Sequence, residues 1–173
     1  MILLWDLSKN ACKNQTAKKL EKLGASKIMK IAKGTRGIIY TGQLKGKKIA
    51  IKIKKPISKV IDTITKEAKW LSLLNKHKIG PKLIFCDDEI IVYKFTDGPV
   101  IKEYLQKCNK LQRKKILTEL LKQCALMDKL GINKEEMHHP TKNIIVLKGK
   151  PVLIDFERAH KSIKPQNVTQ FVQ

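Results

Sequence analysis

The stretch that decides the fold covers residues 26–55 and reads SKIMKIAKGTRGIIYTGQLKGKKIAIKIKK. It contains three β-rich runs, separated by a glycine-containing turn at residues 33–37 and a second turn at residues 44–47. Runs of β-branched residues bounded by glycine turns are typical of strands joined by hairpins. The stretch therefore predicts an antiparallel meander of three strands.

The third of these runs alternates in character. Ile49, Ile51 and Ile53 occupy every second position, and Lys52 lies between the last two of them. Successive side chains of a strand point to opposite faces of its sheet. We therefore expect Lys52 to project from the face opposite the isoleucines.

The sequence on either side of the meander predicts helices and two more strands. Residues 15–24 (QTAKKLEKLG) have apolar positions at helical spacing and end on a glycine, and residues 59–76 carry a longer apolar stripe with Glu67 at its edge. After the break at Gly80-Pro81, residues 82–85 and 89–95 read as two strands.

The second half begins with a turn or hinge at Asp97-Gly98-Pro99 and continues with helices. Residues 113–130 carry an apolar face at steps of three and four and stop at Gly131, and the strands NIIVLKG and PVLIDF follow. The order predicts an α+β fold with a five-stranded antiparallel sheet, in a single domain spanning residues 1–173.

The composition limits the classes of function. The chain has 37 basic and 15 acidic residues, for a net charge of +22. Such a charge favours RNA or a ribonucleoprotein as a partner, but only three of the basic residues are arginines, the residue that base-edge recognition favours. A solvated lysine surface with no nucleic-acid role is the open alternative.

The sequence also indicates where the protein resides. No apolar run approaches the ~20 residues of a membrane span, and the opening MILLWDLSKN lacks a basic segment and a cleavage site, so we expect neither a span nor a signal peptide. The four cysteines form no CxxC pair. We interpret them as reduced, mostly buried thiols of a cytoplasmic protein.

Two charged residues are spaced as a phosphate-binding pair. Lys52 follows Gly37 by fifteen residues, and Glu67 follows Lys52 by fifteen. A strand lysine and a glutamate at the edge of the next helix can meet in a cleft, with phosphate as a third partner. The alternative is an ordinary surface salt bridge worth ~0–1 kcal/mol.

Asn143 and Asp155 are candidate metal ligands. An amide and a carboxylate on neighbouring strand ends offer the oxygen atoms that Mg²⁺ prefers. Asp155 follows three apolar residues, an expensive place for a carboxylate unless it is paired or bound to metal. A strand-end cap is the alternative role for Asp155.

Seven features in order resemble the protein-kinase superfamily over residues 26–160: KGTRG, AIK with Lys52, Glu67, IGPKLI, YKFTDG, PTKNIIV with Asn143, and IDFERA with Asp155. The chain is most similar to the small atypical members, the RIO kinases, the Kdo/lipopolysaccharide-kinase-like group and the small archaeal kinase of the tRNA threonylcarbamoylation complex.

The resemblance implies a two-lobed fold. It consists of an N-lobe sheet with one helix at about residues 1–95, a hinge at about 94–99, and a minimal helical C-lobe at about 100–173.

The resemblance also implies ATP and Mg²⁺ as cofactors, with adenine held by the backbone near Tyr93 to Phe95. The nucleotide-binding residues it implies are Ile31, Lys33, Gly34, Thr35, Arg36, Gly37, Ile39, Lys52, Glu67, Tyr93 and Phe95.

The catalytic loop departs from the kinase pattern. Kinases place an aspartate five residues before the metal-binding asparagine, and here that position is His138. Glu136, seven residues before Asn143, preserves the charge and is the preferred replacement, with His138 as a neutral base the alternative. Both residues can also be plain solvated loop residues.

Two further departures concern Glu157, where protein kinases have glycine, and the short tail. Only 18 residues follow Asp155, too few for an activation segment or a helical platform for a peptide substrate. The sequence thus predicts either a serine/threonine-type phosphotransferase acting on a protein or small-molecule hydroxyl, or a pseudokinase that binds nucleotide and docks on an RNA assembly.

Overall fold

The computed structural model describes residues 11–33, 37–55, 63–138 and 140–173. Its helices are α1 (Ala11–Lys22), α2 (Thr63–Asn75), α3 (Ile101–Lys107), α4 (Lys110–Lys129) and α5 (Asn167–Val172), with a 3₁₀ turn at Pro140–Lys142. Its strands are β1 (Ala25–Lys33), β2 (Gly37–Leu44), β3 (Lys47–Lys54), β4 (Leu83–Cys86), β5 (Ile90–Lys94), β6 (Ile132–Asn133), β7 (Ile144–Leu147), β8 (Lys150–Leu153) and β9 (His160–Lys161).

The described residues divide into two compact units. The first comprises the residues up to Ala68 together with Lys82–Phe95, and the second comprises Lys69–Pro81 and Thr96–Gln173. The division falls inside helix α2, whose first half belongs to the first unit.

The first unit is built on a five-stranded sheet in the order β1-β2-β3-β5-β4. Every pairing between neighbours is antiparallel. This confirms the predicted α+β class, the three-strand meander and the five-stranded antiparallel sheet. The turn at residues 44–47 is also confirmed, because Lys45 and Gly46 connect β2 to β3 with left-handed backbone angles.

One face of this sheet carries the core of the first unit. Leu20 of α1 is fully buried in a cluster with five sheet residues: Tyr40, Ile49, Ile51, Ile90 and Val92. The alternation in β3 thus directs its isoleucines towards α1. The sequence predicted this helix at residues 15–24, and the observed helix begins four residues earlier and ends at Lys22.

A cluster of charges fixes α1 to the turn between β4 and β5. The ammonium of Lys19 lies 2.9 Å from a carboxylate oxygen of Asp87 and 2.9 Å from one of Glu89. Asp87 also accepts hydrogen bonds from the backbone N–H groups of Glu89 and Ile90. One aspartate therefore both closes the turn and binds the helix.

The second unit is organised around α4. Its buried face consists of Ile116, Leu120, Cys124 and Met127, as the helical spacing predicted. Asn109 begins the helix with a capping box in which Asn109 and Gln112 exchange side-chain-to-backbone hydrogen bonds. The helix therefore starts three residues before the predicted position.

The second unit also contains the predicted hairpin and an element that the sequence did not indicate. β7 and β8 pair antiparallel, as expected. Helix α5, near the C-terminus, was not predicted because it has only six residues and depends on a tertiary contact: the Asp128 carboxylate accepts hydrogen bonds from the side chain and backbone of Asn167 and from the N–H of Val168.

The thiols are less uniformly buried than predicted. Cys124 is buried, Cys86 and Cys108 are half-buried, and all three are free. Burial raises the pKa of the Cys124 thiol to about 12, which keeps it protonated and unreactive at neutral pH. The side chain of Cys12 and the first ten residues lie outside the described part of the chain, and so do the predictions made for them.

Across the described residues, no helix is both long enough and apolar enough to cross a membrane. The predicted start of the second helix, in residues 56–62, and His139 fall outside those residues.

Candidate functional site

Lys52 and Glu67 form the central contact of the first unit. The Lys52 ammonium lies 2.7 Å from a carboxylate oxygen of Glu67. Lys52 is 7% exposed and Glu67 3%, so the pair is buried and is not the surface salt bridge that was the alternative. Removing two charges from water is expensive, so each of these side chains depends on the other as its buried partner.

The strand register explains the position of Lys52. Lys52 pairs with Ile39 on β2 and with Ile91 on β5, so these three side chains share one face of the sheet. This is the face opposite the Ile49–Ile51 cluster. The predicted orientation of Lys52 is confirmed.

Glu67 lies on the buried side of helix α2. Ile64 is 2% exposed and Ala68 6%, so the turn of helix around Glu67 has its apolar residues packed. Glu67 is thus held in place by its neighbours on the helix. Glu67 therefore lies beside the apolar stripe of α2, as the helical spacing predicted.

The predicted phosphate loop is only partly described. Gly34, Thr35 and Arg36 lie outside the described residues. At the start of β2, a Cβ on Gly37 would lie 3.0 Å from the Ile53 carbonyl oxygen and 3.3 Å from a Lys52 side-chain carbon. Glycine at this position therefore allows the backbone to pass close to Lys52.

The strand leading into this loop is exposed. Ile31 is 51% exposed, and Lys33 is also exposed on β1. Ile39, in contrast, is half-buried beside Lys52. The structure thus brings Gly37 and Ile39 to the lysine, whereas Ile31 and Lys33 lie on the outer strand of the sheet.

The segment predicted to hold adenine is hydrogen-bonded to neighbouring strands. Tyr93 pairs with Ala50, the Lys94 N–H donates to the Lys82 carbonyl at 2.8 Å, and the Phe95 N–H donates to the Lys48 carbonyl at 3.1 Å. The Lys48 ammonium lies 4.0 Å from the centre of the Phe95 ring. The backbone N–H groups of Lys94 and Phe95 are therefore occupied.

In the second unit, Glu136 lies beside Asn143. The Asn143 amide nitrogen donates to one Glu136 carboxylate oxygen at 3.3 Å, and the Arg158 guanidinium lies 2.7 Å from the other. Both carboxylate oxygens are thus engaged. The Asn143 contact uses the amide nitrogen and leaves the amide oxygen, the atom that a metal ion takes.

The loop that carries Glu136 has an unusual backbone. Glu135 and Glu136 have φ angles of +70° and +57°, in the left-handed region that costs non-glycine residues about 1–2 kcal/mol each. A carboxylate oxygen of Glu135 also lies 3.5 Å from the Nδ1 atom of His160. Strain of this kind is retained where surrounding contacts fix it, and it is common at functional sites.

His138 follows two residues later and is exposed. It lines a small cavity of about 360 Å³ together with Glu136, Thr141, Lys142 and Asn143. The two candidate bases and the candidate metal ligand Asn143 therefore line one cavity of the second unit.

Asp155 lies next to Asn143 across the β7–β8 hairpin. The Ile154 N–H donates to the Asn143 carbonyl at 2.9 Å, so Asn143 and Asp155 stand on neighbouring strand ends. Asp155 is exposed, so its carboxylate does not carry the cost that the three preceding apolar residues suggested. Strand β8 ends two residues earlier, at Leu153, so the apolar run preceding Asp155 does not enclose it.

Phe156 explains how Asp155 is presented. Phe156 is fully buried and packs against Gly80. A Cβ added to Gly80 would lie only 3.0 Å from a carbon of the Phe156 ring. Because the chain must place Phe156 inside and Asp155 outside, Asp155 adopts a φ of +61°. The Glu157 side chain then brings a carboxylate oxygen within 4.8 Å of one of Asp155.

Sequence reasoning missed Arg158 as a member of this site. It is one of three arginines in a chain with 37 basic residues, which is the only signal that could have singled it out. Its contact with Glu136 depends on the pairing of β6 with β9, in which Asn133 lies opposite His160. A two-residue pairing leaves no periodicity in the sequence.

Comparisons with known proteins do not assign the chain. No protein-family model matches it, and no curated protein matches it. The function is therefore inferred from the residues and their geometry.

Proposed function

We propose that this protein binds ATP with Mg²⁺ and transfers the γ-phosphate to a hydroxyl group, as a small atypical kinase of the serine/threonine type. The observation that carries the proposal is the buried 2.7 Å contact between Lys52 and Glu67. The kinase-like two-lobed fold is part of the same proposal, supported by the order of strands and helix around Lys52.

In this proposal Lys52 binds the α- and β-phosphates and Glu67 orients its ammonium. A lysine is a compact charge on a flexible stem, so a fixed carboxylate restricts where it can point. Gly37 supports this role because its missing side chain leaves room for close approach beside Lys52.

Asn143 and Asp155 fit the requirements of Mg²⁺. They offer an amide oxygen and an exposed carboxylate on neighbouring strand ends, and Mg²⁺ binds hard oxygen ligands while keeping several waters. When bound with ATP, the metal neutralises charge on the phosphate oxygens.

Glu136 is the proposed general base. Arg158 and Asn143 hold its two carboxylate oxygens and thereby fix its orientation in the loop. A positioned base contributes about 10²–10⁴-fold to such reactions. His138, exposed in the same cavity, is the second candidate.

A second function is favoured by one specific contact. The Arg158 guanidinium lies 2.7 Å from one Glu136 carboxylate oxygen and so occupies an atom that a general base would turn towards the acceptor hydroxyl. A pseudokinase that binds ATP without transfer, acting as a binding module on an RNA assembly, is therefore the alternative.

Thermal unfolding with and without ATP-Mg²⁺ tests nucleotide binding. A ligand at a hundred times its Kd stabilises the folded state by about 2.7 kcal/mol, so we expect a clear rise in Tm. The rise should be lost in Asp155→Asn, which is exposed and should still fold, and kept in Asp88→Asn, whose side chain is 86% exposed. No rise in the wild type would refute both functions.

Radiolabelled ATP then separates the kinase from the pseudokinase. Autophosphorylation or transfer to a generic protein acceptor should fall about 10²-fold or more in Glu136→Gln if Glu136 is the base, and in His138→Ala if histidine is. Binding without transfer in the wild type would reject the kinase and support the binding module.

A further inference from the structure

A groove on the second unit adjoins the cavity of Glu136, and Thr141 lines both. It has a volume of about 510 Å³ and is formed by α3, the start of α4, the 3₁₀ turn, β7 and α5. Its apolar lining consists of Ile101, Leu105, Leu117, Pro140, Ile144 and Phe171. The groove is partly open to solvent.

The charges of this groove are all of one sign. Among its described lining residues the charged side chains are Lys102 and Arg113, and none is a carboxylate. Arg113 is held at the edge because its guanidinium donates to the Leu105 carbonyl at 2.8 Å. The apolar floor thus has fixed positive charge beside it.

Helix α4 extends this positive edge. Lys110, Arg113, Lys114 and Leu117 have the spacing i, i+3, i+4 and i+7, so they share one face of the helix. The first three are exposed, and so are Lys102 on α3 and Lys142 in the 3₁₀ turn. Within the described part of the chain, no carboxylate lies within ion-pair distance of these five cations.

We propose that this groove binds an acidic amphipathic helix of a partner protein. Such a helix places apolar side chains in the groove and carboxylates along the edge, where the cations of α3 and α4 meet them. RNA fits less well, because single strands bind by stacking on several aromatic side chains, and Phe171 is the one aromatic side chain among the described residues of the lining. The proposal does not depend on the proposed kinase function.

The probe for this proposal is a fluorescein-labelled 18-residue peptide with leucines at i, i+3, i+4 and i+7 and glutamates on the other face. Fluorescence anisotropy should show saturable binding to the full chain. A scrambled peptide of the same composition should bind at least tenfold more weakly, since it keeps the charge and loses the apolar stripe.

Two matched pairs of variants locate the binding. Lys110→Glu with Lys114→Glu should weaken binding at least tenfold, whereas Lys115→Glu with Lys122→Glu, on the opposite face of α4, should not. Leu117→Gln should weaken binding, whereas Leu111→Gln, which is 75% exposed and does not line the groove, should not. Circular dichroism confirms that each variant is folded.

The proposal is overturned if the scrambled peptide binds equally well, or if both charge-reversed pairs lose the same affinity, because either result indicates non-specific attraction to a basic protein. It is also overturned if a labelled single-stranded RNA binds more tightly than the peptide and loses that affinity in the Lys110/Lys114 pair. Equal binding by the Leu117→Gln and Leu111→Gln variants would likewise reject the groove.

Discussion

The buried contact between Lys52 and Glu67 joins two charges that are both removed from water. Each side chain is less than a tenth exposed, so loss of one leaves the other in an environment that disfavours charge. The contact therefore has a consequence for stability that does not depend on any nucleotide.

A double-mutant cycle measures that consequence. We expect Lys52→Ala to lower the free energy of unfolding by about 3–5 kcal/mol, and the double variant Lys52→Ala/Glu67→Ala to lose much less than the sum of the single variants. Urea unfolding followed by circular dichroism provides the four values. Additive losses would mean that the pair is not coupled.

The carboxylate of Asp87 makes the stability of the folded state depend on pH. Burial acts to raise the pKa of its carboxyl, but the hydrogen bonds from Lys19 and from the backbone N–H groups of Glu89 and Ile90 outweigh that effect and hold the pKa below its usual value. The folded state therefore binds protons less readily than the unfolded chain. The resulting stabilisation is present above about pH 4 and is lost as the pH falls through the lowered pKa.

Asp87→Asn should remove this contribution while keeping a side-chain acceptor for the turn. We expect the variant to be about 1 kcal/mol less stable at pH 7, with the difference from wild type shrinking as the pH is lowered towards 3. Urea unfolding across this range is the measurement. Asp88→Asn is the control, because Asp88 is 86% exposed and 3.8 Å from Lys19, and it should change stability little.

At the scale of elements, the segment before α3 is fixed to strand β7. The Val146 N–H donates to the Pro99 carbonyl at 2.8 Å, and Val100 forms a bridge with Ile145. A Cβ on Gly98 would collide with the Val146 backbone carbonyl oxygen. The predicted hinge residues are thus part of a close backbone contact within the second unit.

Gly98→Ala should therefore be strongly destabilising. Backbone cannot move aside as a flexible side chain can, so we expect a loss of more than about 2 kcal/mol in urea unfolding. Gly131→Ala is a useful comparison, since Gly131 has a φ of +67° but its nearest neighbour is 3.4 Å away. It should lose only about 1 kcal/mol through backbone strain, and an equal loss in both would contradict the steric argument.

At the scale of the whole molecule, a net charge of +22 opposes the compact state by self-repulsion. Raising NaCl from 20 to 200 mM shortens the Debye length from about 20 to about 7 Å. We expect the Tm to rise by about 2–4 °C over this range, as measured by differential scanning calorimetry.

A variant with lower charge provides the control for this salt effect. Lys115→Glu with Lys122→Glu lowers the net charge by four, and its Tm should depend less on salt than that of the wild type. A Tm that falls with added NaCl would show that attractive ion pairs, such as those of Lys19, outweigh the repulsion.

Local patterns in the sequence are enough to specify the sheet. Strand periodicity, glycine turns and the alternation around Lys52 specify which residues form the meander and which face each side chain occupies, because these are local properties of the chain. The apolar faces of α1, α2 and α4 were predicted correctly because helical periodicity is also a local property. The spacing from Lys52 to Glu67 suggested that the two residues form a pair. That both side chains are buried is known only from the folded structure.

Only the tertiary structure decided the loop around Glu136. Its contacts with Asn143 and Arg158 join residues 7 and 22 positions away, through a two-residue strand pairing and two left-handed residues that no periodic pattern specifies. The apolar residues before Asp155 suggested a costly place for a carboxylate, yet Asp155 is exposed because the strand ends at Leu153 and Phe156 takes the interior position. Local sequence fixes which way a regular element faces, whereas irregular segments take their positions from distant contacts.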